Sequence, residues 1–200
     1  MNLARNTNRE KVLNALMFFV QNTNRNKIGK TKMAKLLFAL DFEHFKQTGR
    51  FVTGLNYFAY PNGPYPKELM EKMTEKTFPK DMAPFITLIL KGDTKDDGGF
   101  LFKVKEGHSA DVSLFSPREI EIMKNLAEIW YHYSGKDIVH WSHSKGSPWQ
   151  ILWEKENRKY ELISYLYALD KDSPITKAEA ENILKEEEEG ELVFPTQPEI

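Results

Sequence analysis

The sequence predicts an α+β protein that is predominantly α-helical, a helical bundle carrying a small antiparallel β-sheet. Three observations carry this. Helix-capping signals stand ahead of apolar residues at helical spacing, in Thr7-Asn8-Arg9-Glu10 and again in Ser116-Pro117-Arg118-Glu119. Two short runs of strand formers, Leu55–Tyr60 and Phe100–Lys105, follow or precede Pro- and Gly-rich turns. The 200 residues, 40% hydrophobic and 12% aromatic, are enough chain for a sizeable core.

In order along the chain, Val12, Leu13, Leu16, Met17 and Val20 give a first helix that ends near the Asn-rich turn at 22–26. A second helix runs from Thr31 to Gln47, with Met33, Leu36, Leu37, Leu40 and Phe45 on one face and Gly49 suited to its C-terminal cap. The two are expected to form an antiparallel pair. Leu55–Tyr60 reads as a strand closed by Pro61, with Pro64 and Pro66 stiffening the turn that follows. Lys67–Lys76 reads as a short helix, and Met82–Leu90 fits a helix or a strand. After the polar turn at 95–99 comes the strand Phe100–Lys105.

Ile120, Met123, Leu126, Ala127 and Trp130 form the buried face of the next helix, which Gly135 ends. Asp137–Ser144, Trp149–Trp153 and Tyr160–Leu169 read as further short helices. Thr176 caps a last helix that is expected to dissolve into Glu186–Glu189 and Gly190, leaving a flexible tail. Residues 1–170 are therefore read as one domain, and 171–200 as a helix with an acidic tail.

Composition removes several function classes. The chain has no cysteine, which excludes disulfides, thiolate catalysis and thiolate zinc sites. No apolar run is long enough to span a membrane, and the first residues lack the apolar stretch of a signal peptide, so a cytoplasmic protein is expected. The net charge of −1 hides an asymmetry: residues 1–80 hold 14 Lys and Arg against 6 Asp and Glu, and the remainder is correspondingly acidic. A basic half fits an acidic partner or nucleic acid, or the two halves offset each other on the folded surface.

Catalytic motifs fail one by one. Gly29-Lys30-Thr31 resembles the end of a phosphate-binding loop, but Asn24 stands where its first glycine belongs. No Gly-x-Ser-x-Gly elbow is present, and Asp41 and Glu43, two apart, point to different sides of a helix. His140 and His143, with His132 on the preceding helix, are the metal candidates and the basis of a metal-dependent hydrolase as an alternative function. No enzyme constellation results, and no cofactor is expected. Lys27, Lys30, Lys32 and Lys35 crowd the start of the second helix, against its dipole. They are read as a solvated loop or as charges offered to an acidic partner. A DNA-binding regulator is the other alternative, though no base-reading helix follows at helix-turn-helix spacing.

The stretch from Gly49 to Pro66 holds five aromatics, three glycines, three prolines and one charge. Phe51, Tyr57 and Ala59 are assigned to support of the core. Tyr60 and Tyr65 are candidates for partner contact, because a stiff segment loses little entropy on binding and tyrosine is favoured at interfaces. Leu192-Val193-Phe194, apolar and closed by Pro195 after the glutamate run, either folds back on the core or docks on a partner.

Lys35-Leu36-Leu37-Phe38-Ala39, His44-Phe45, Gly49-Arg50, Thr53-Gly54, Tyr57, Ala59 and Gly63-Pro64 resemble the Panacea domain, the SocA-like antitoxin family. Tyr131-x-x-Ser134-Gly135, Ile138-Val139, Ser142-His143 and Pro148-Trp149 extend the likeness, which covers roughly residues 10 to 155. Asn62–Pro66 departs from the family's usual Tyr-Gly-Pro-Val-Pro, and Phe38 stands where Tyr is common. The resemblance implies an antitoxin without a catalytic site that neutralises a cognate protein toxin by direct binding. It further implies toxins that block translation, relatives of alarmone synthetases among them, and in some members delivery of the toxin to an ATP-dependent protease.

Overall fold

Helix α2 (Lys30–Thr48) runs through the centre of the protein and is buried on nearly every side, from Lys32 through Phe42 and again at His44 and Phe45. The expected one-faced helix is therefore corrected to a central one. Each of its faces meets a different element: α1 (Arg9–Asn22), α4 (Pro117–Ile129), α5 (Gly135–Ser142), the strands Gly63–Tyr65 and Phe100–Val104, and a single turn at Tyr165–Ala168. From Lys32 to Phe42, a helix surrounded in this way has no solvent face for its polar residues, and each of them needs an internal partner. The computed structural model describes residues 8–193 apart from 25, 75 and 91–98, with the backbone alone from 188 onward. Among these residues, no helix is long and apolar enough to cross a membrane.

The helix boundaries follow local chemistry. The Asn8 side chain accepts from the Lys11 N–H to start α1, while Thr7 lies outside the described residues. Gly49, at φ 73°, closes α2 in the left-handed region, where an added Cβ would come 2.8 Å from Ile183 Cδ1. Reciprocal capping boxes start both α4 (Ser116 with Glu119) and α5 (Ser134 with Asp137). Glu119 also takes the Lys11 ammonium at 2.8 and 3.0 Å, which ties α1 to the head of α4.

The β structure is two separate antiparallel ribbons. β1 (Phe58–Tyr60) and β2 (Gly63–Tyr65) form a tight hairpin around Pro61 and Asn62, so Pro64 sits in a strand opposite Ala59 and not in the turn. At Gly63 (φ 94°) a Cβ would meet Ser142 Oγ at 2.5 Å and Lys35 Cε at 2.7 Å, so only glycine fits between hairpin and helices. α3 (Lys67–Lys72) follows directly. The ambiguous 82–90 segment resolves into a turn and β3 (Ile86–Leu90), which pairs with β4 (Phe100–Val104).

Two further sequence expectations are overturned. Residues 160–164 are not helical. They run beside β1, with Ala59 N–H donating to Glu161 O, Tyr160 N–H to Ala59 O and Ile163 N–H to Tyr57 O. These long-range bonds outcompete a local helix, and only Tyr165–Ala168 forms a 3-10 turn. The last helix, α7 (Lys177–Val193), does not dissolve at its glutamates but continues through them. α6 (Pro148–Gln150), capped by Ser147, passes straight into a π turn at Ile151–Lys155.

The polar centre of the fold is Asp41, fully buried on α2. Its Oδ1 accepts from the Val52 N–H at 2.8 Å and the Thr53 N–H at 2.6 Å. Its Oδ2 accepts from the hydroxyls of Thr53 and Tyr57, and the Tyr165 hydroxyl divides its one proton between Leu55 O at 2.8 Å and this oxygen at 3.3 Å. Burial pushes the carboxyl above the usual range, and the hydrogen bonds from Thr53, Tyr57 and Val52 pull against that rise. Removing the carboxyl leaves several buried donors without an acceptor, each costing about 1–3 kcal/mol. Asp41→Ala is therefore expected to lose at least about 3 kcal/mol in urea unfolding. Glu43→Ala, two residues on and exposed, is expected to lose under about 0.5 kcal/mol. Equal losses at the two positions would contradict this assignment.

Candidate functional site

The lysines at the entry to α2 are the first residues to locate, because their placement builds the site. Lys32 is completely buried, and its ammonium donates to the carbonyls of Trp130 and Tyr133 (2.8 Å to the latter). Lys27 donates to His132 O, and Lys30 to Met70 O at 3.3 Å, with burial lowering the Lys30 pKa. Lys35, also buried, donates to Pro64 O at 2.7 Å. Offering Lys32 to an acidic partner is therefore corrected: its charge lies inside the protein. The positive charges that oppose the α2 dipole are bound to backbone carbonyls of other elements, Lys27 and Lys32 on the segment that follows α4.

This anchoring fixes the turn between α4 and α5 over α2 and leaves a trough of about 900 Å³ between the three helices. Its apolar lining is Ile122, Leu126, Ile129, Trp130, Tyr133 and Trp141. Glu43, Gln47, Asn125, Lys136, Asp137 and His140 supply its polar members. Trp130 forms the floor, 8% exposed, with the rings of Tyr133 and Trp141 set edge-on at 5.4 and 5.6 Å. Ile129, Tyr133 and Trp141 nonetheless remain 57%, 50% and 38% exposed. Large apolar side chains on a rigid frame, bordered by polar groups, have the anatomy of an interface. Hydrogen bonds from the Ser134 hydroxyl and N–H hold the Asp137 carboxyl below the usual carboxylate range, so the border stays charged.

A second aromatic array lies on the hairpin side. Tyr65, Tyr60, Tyr160, Trp153 and Trp149 follow one another at centroid separations of 5.3 to 5.5 Å, and His143 stacks on Trp149 at 3.7 Å. The Trp149 indole N–H donates to Tyr60 O at 2.8 Å and locks the α6 segment onto the hairpin. Tyr60 and Tyr65 are half-buried within this row, and its exposed member is Tyr160, at 57% and in the left-handed region (φ 63°).

The other sequence candidates separate. Leu192 and Val193 lie in the last turn of α7, which argues against their acting as a strand, and Phe194 lies outside the described residues. His132, His140 and His143 do not converge: His132 stacks edge-on with Tyr131, His140 lines the trough and His143 faces Trp149. Among the described residues, no three His, Asp or Glu side chains are grouped to hold a metal ion. Sequence reasoning missed the trough. Its signal was Ile129, an apolar residue off the buried face of α4, next to three aromatics in four positions, Trp130, Tyr131 and Tyr133.

A family model described as antitoxin SocA-like, Panacea domain, matches residues 33–150, which contain all but the first turn of α2, the hairpin, α3, β3, β4, α4, α5 and α6. No curated protein and no solved structure matches the chain.

Burial, and then the nearby Lys35 ammonium, lower the His143 pKa from the ordinary 6.5. The unfolded chain thus takes up a proton that the folded chain resists. The stability held through a neutral His143 is complete above about pH 6.5 and declines as pH falls towards the lowered folded value. His143→Phe keeps a ring against Trp149 and is expected to flatten the decline in melting temperature between pH 7 and 5. A slope identical to that of the parent would remove His143 as its source.

Proposed function

The chain belongs to the SocA-like antitoxin family with its Panacea domain, and on that premise we propose that it binds a cognate protein toxin directly, through the trough between α2, α4 and α5. The observation that carries this reading is the exposure of Ile129, Tyr133 and Trp141 on a frame held from below by Lys32. A monomeric surface scatters its apolar residues, and aromatics gathered at a fixed concavity point to a partner. The role is stoichiometric: the partner's active surface is covered and no bond is made or broken. A translation-blocking toxin related to alarmone synthetases, and delivery of the bound toxin to an ATP-dependent protease, are the finer readings the family likeness supports.

The nucleic-acid alternative loses its main support, because Lys27, Lys30 and Lys32 each donate to a backbone carbonyl within the protein.

Ile129→Glu and Trp141→Glu place charge at the trough without removing a fully buried side chain. Each is expected to weaken binding of the toxin encoded beside this chain by about 30-fold or more, as loss of a hot-spot residue does. Their melting temperatures should stay close to that of the parent. Tyr160→Ala, on the separate aromatic row, serves as the comparison. Calorimetry that finds Tyr160→Ala damaging and both trough variants neutral would move the toxin to the hairpin side.

A further inference from the structure

The ribbon β3–β4 has one closed side and one open side. On the closed side, the Phe102 N–H donates to Ile28 O and Gly29 bridges Leu101, so β4 is covered by the segment entering α2. On the open side lies β3, Ile86-Thr87-Leu88-Ile89-Leu90.

The pairing pattern shows which of its backbone groups are left over. The Lys105 N–H donates to Phe85 O, and Ile86 faces Val104, Thr87 faces Lys103 and so on to Leu90 opposite Phe100. In an antiparallel ladder, hydrogen-bonded and non-hydrogen-bonded pairs alternate. Phe85, Thr87 and Ile89 therefore bond to β4, and Ile86, Leu88 and Leu90 point their N–H and C=O away from it. The Ile86 N–H is already taken by Met82 O at 3.0 Å. Among the described residues, the N–H and C=O groups of Leu88 and Leu90 have no backbone partner.

The side chains compound the exposure. Ile89 is 41% and Leu90 73% exposed, the latter the most exposed large apolar residue described. The strand carries no Lys, no Pro and no other charge, the devices that ordinarily keep a sheet edge from pairing with another chain.

We propose that β3 is a self-association edge, at which two copies of this chain pair antiparallel about a two-fold axis through Ile89 to form a four-stranded sheet. The register follows from the free groups. With Ile89 opposite Ile89 of the second copy, Leu88 of each copy faces Leu90 of the other, and each pair exchanges two N–H···O=C bonds. The four free groups of Leu88 and Leu90 on each copy are then used, and the Ile86 N–H, already bonded within its own chain, is not called on. The Ile89 side chains meet in a close, non-hydrogen-bonded pair, and each Leu90 packs beside Leu88 of its mate. A strand edge is satisfied only by extended backbone, and this one is complementary to itself. The toxin reading does not bear on this proposal, since the trough is built from α2, α4 and α5.

Sedimentation of the full chain over a range of micromolar concentrations is the test, with Leu90→Pro and Ile89→Lys as variants. Proline at 90 removes only an outward-pointing N–H and is tolerated on an edge strand, so the β3–β4 ladder stays intact. The parent is expected to show twice the chain mass, with self-association about tenfold or more weaker in either variant. An unchanged melting temperature certifies that each variant is folded. A parent that stays monomeric throughout, or a dimer that both folded variants leave untouched, would overturn the proposal. A monomer whose toxin affinity falls with Leu90→Pro would also overturn it, assigning the edge to a strand of the toxin.

Discussion

The carboxylate of Asp41 is the interaction on which the architecture depends. A charge-bearing group at the centre of a helix with no solvent face is a large desolvation cost, and only a full set of donors offsets it. Those donors come from places far apart in sequence: the Val52 and Thr53 amides, the Thr53 and Tyr57 hydroxyls, and the Tyr165 hydroxyl from the far side of the chain. Satisfying Asp41 therefore fixes the path of residues 50–57, which sets where the hairpin leaves the core. It also fixes the turn at 165–168, where Tyr165 stacks on Phe42 at 4.7 Å and donates to Leu55 O at 2.8 Å. The aromatic row and the Trp149 lock stand on that hairpin.

The lysines of α2 extend the same logic outward. Lys32 and Lys35 are fully buried cations that bond to backbone carbonyls, one at the α4–α5 turn and one on β2. Each joins the central helix to an element it would otherwise only touch through apolar side chains. The trough exists because the α4–α5 turn is held in this way, so the charge that looked like a recognition surface in sequence is part of the frame beneath the trough.

Much of the helical layout was legible in the residues themselves. The end of α2 and the start of α4 follow from Gly49 and the Ser116 box, both local signals, whereas Gly135, expected to end α4, instead opens α5 behind the Ser134 cap, and α4 stops at Ile129. Where the outcome depended on distant partners, local reading failed. Tyr160–Leu169 has helical spacing, yet Glu161 bonds to Ala59 of β1 and Ile163 to Tyr57 just before it. Glu186–Glu189 reads as a repelling run, yet Glu187 pairs with Arg50 at 2.7 Å and α7 continues through it. The trough was illegible for a related reason: whether Trp141 or Ile129 is buried depends on how α5 crosses α2, which periodicity within one helix does not encode. Family likeness named the kind of partner, while the apolar trough is visible only in the fold.

The reach from Asp41 to Tyr165 has a consequence for how the chain is made. Synthesis joins α1, α2, the hairpin, α4 and α5 before residue 165 is added. Until then the Leu55 carbonyl lacks the Tyr165 hydroxyl and Ala59 lacks the flanking strand at 160–163, so the hairpin waits half-supported. Contacts separated by more than a hundred residues are the slow ones to close. The nascent chain thus carries its trough-forming helices early and acquires its final rigidity late, in the order in which codons are read.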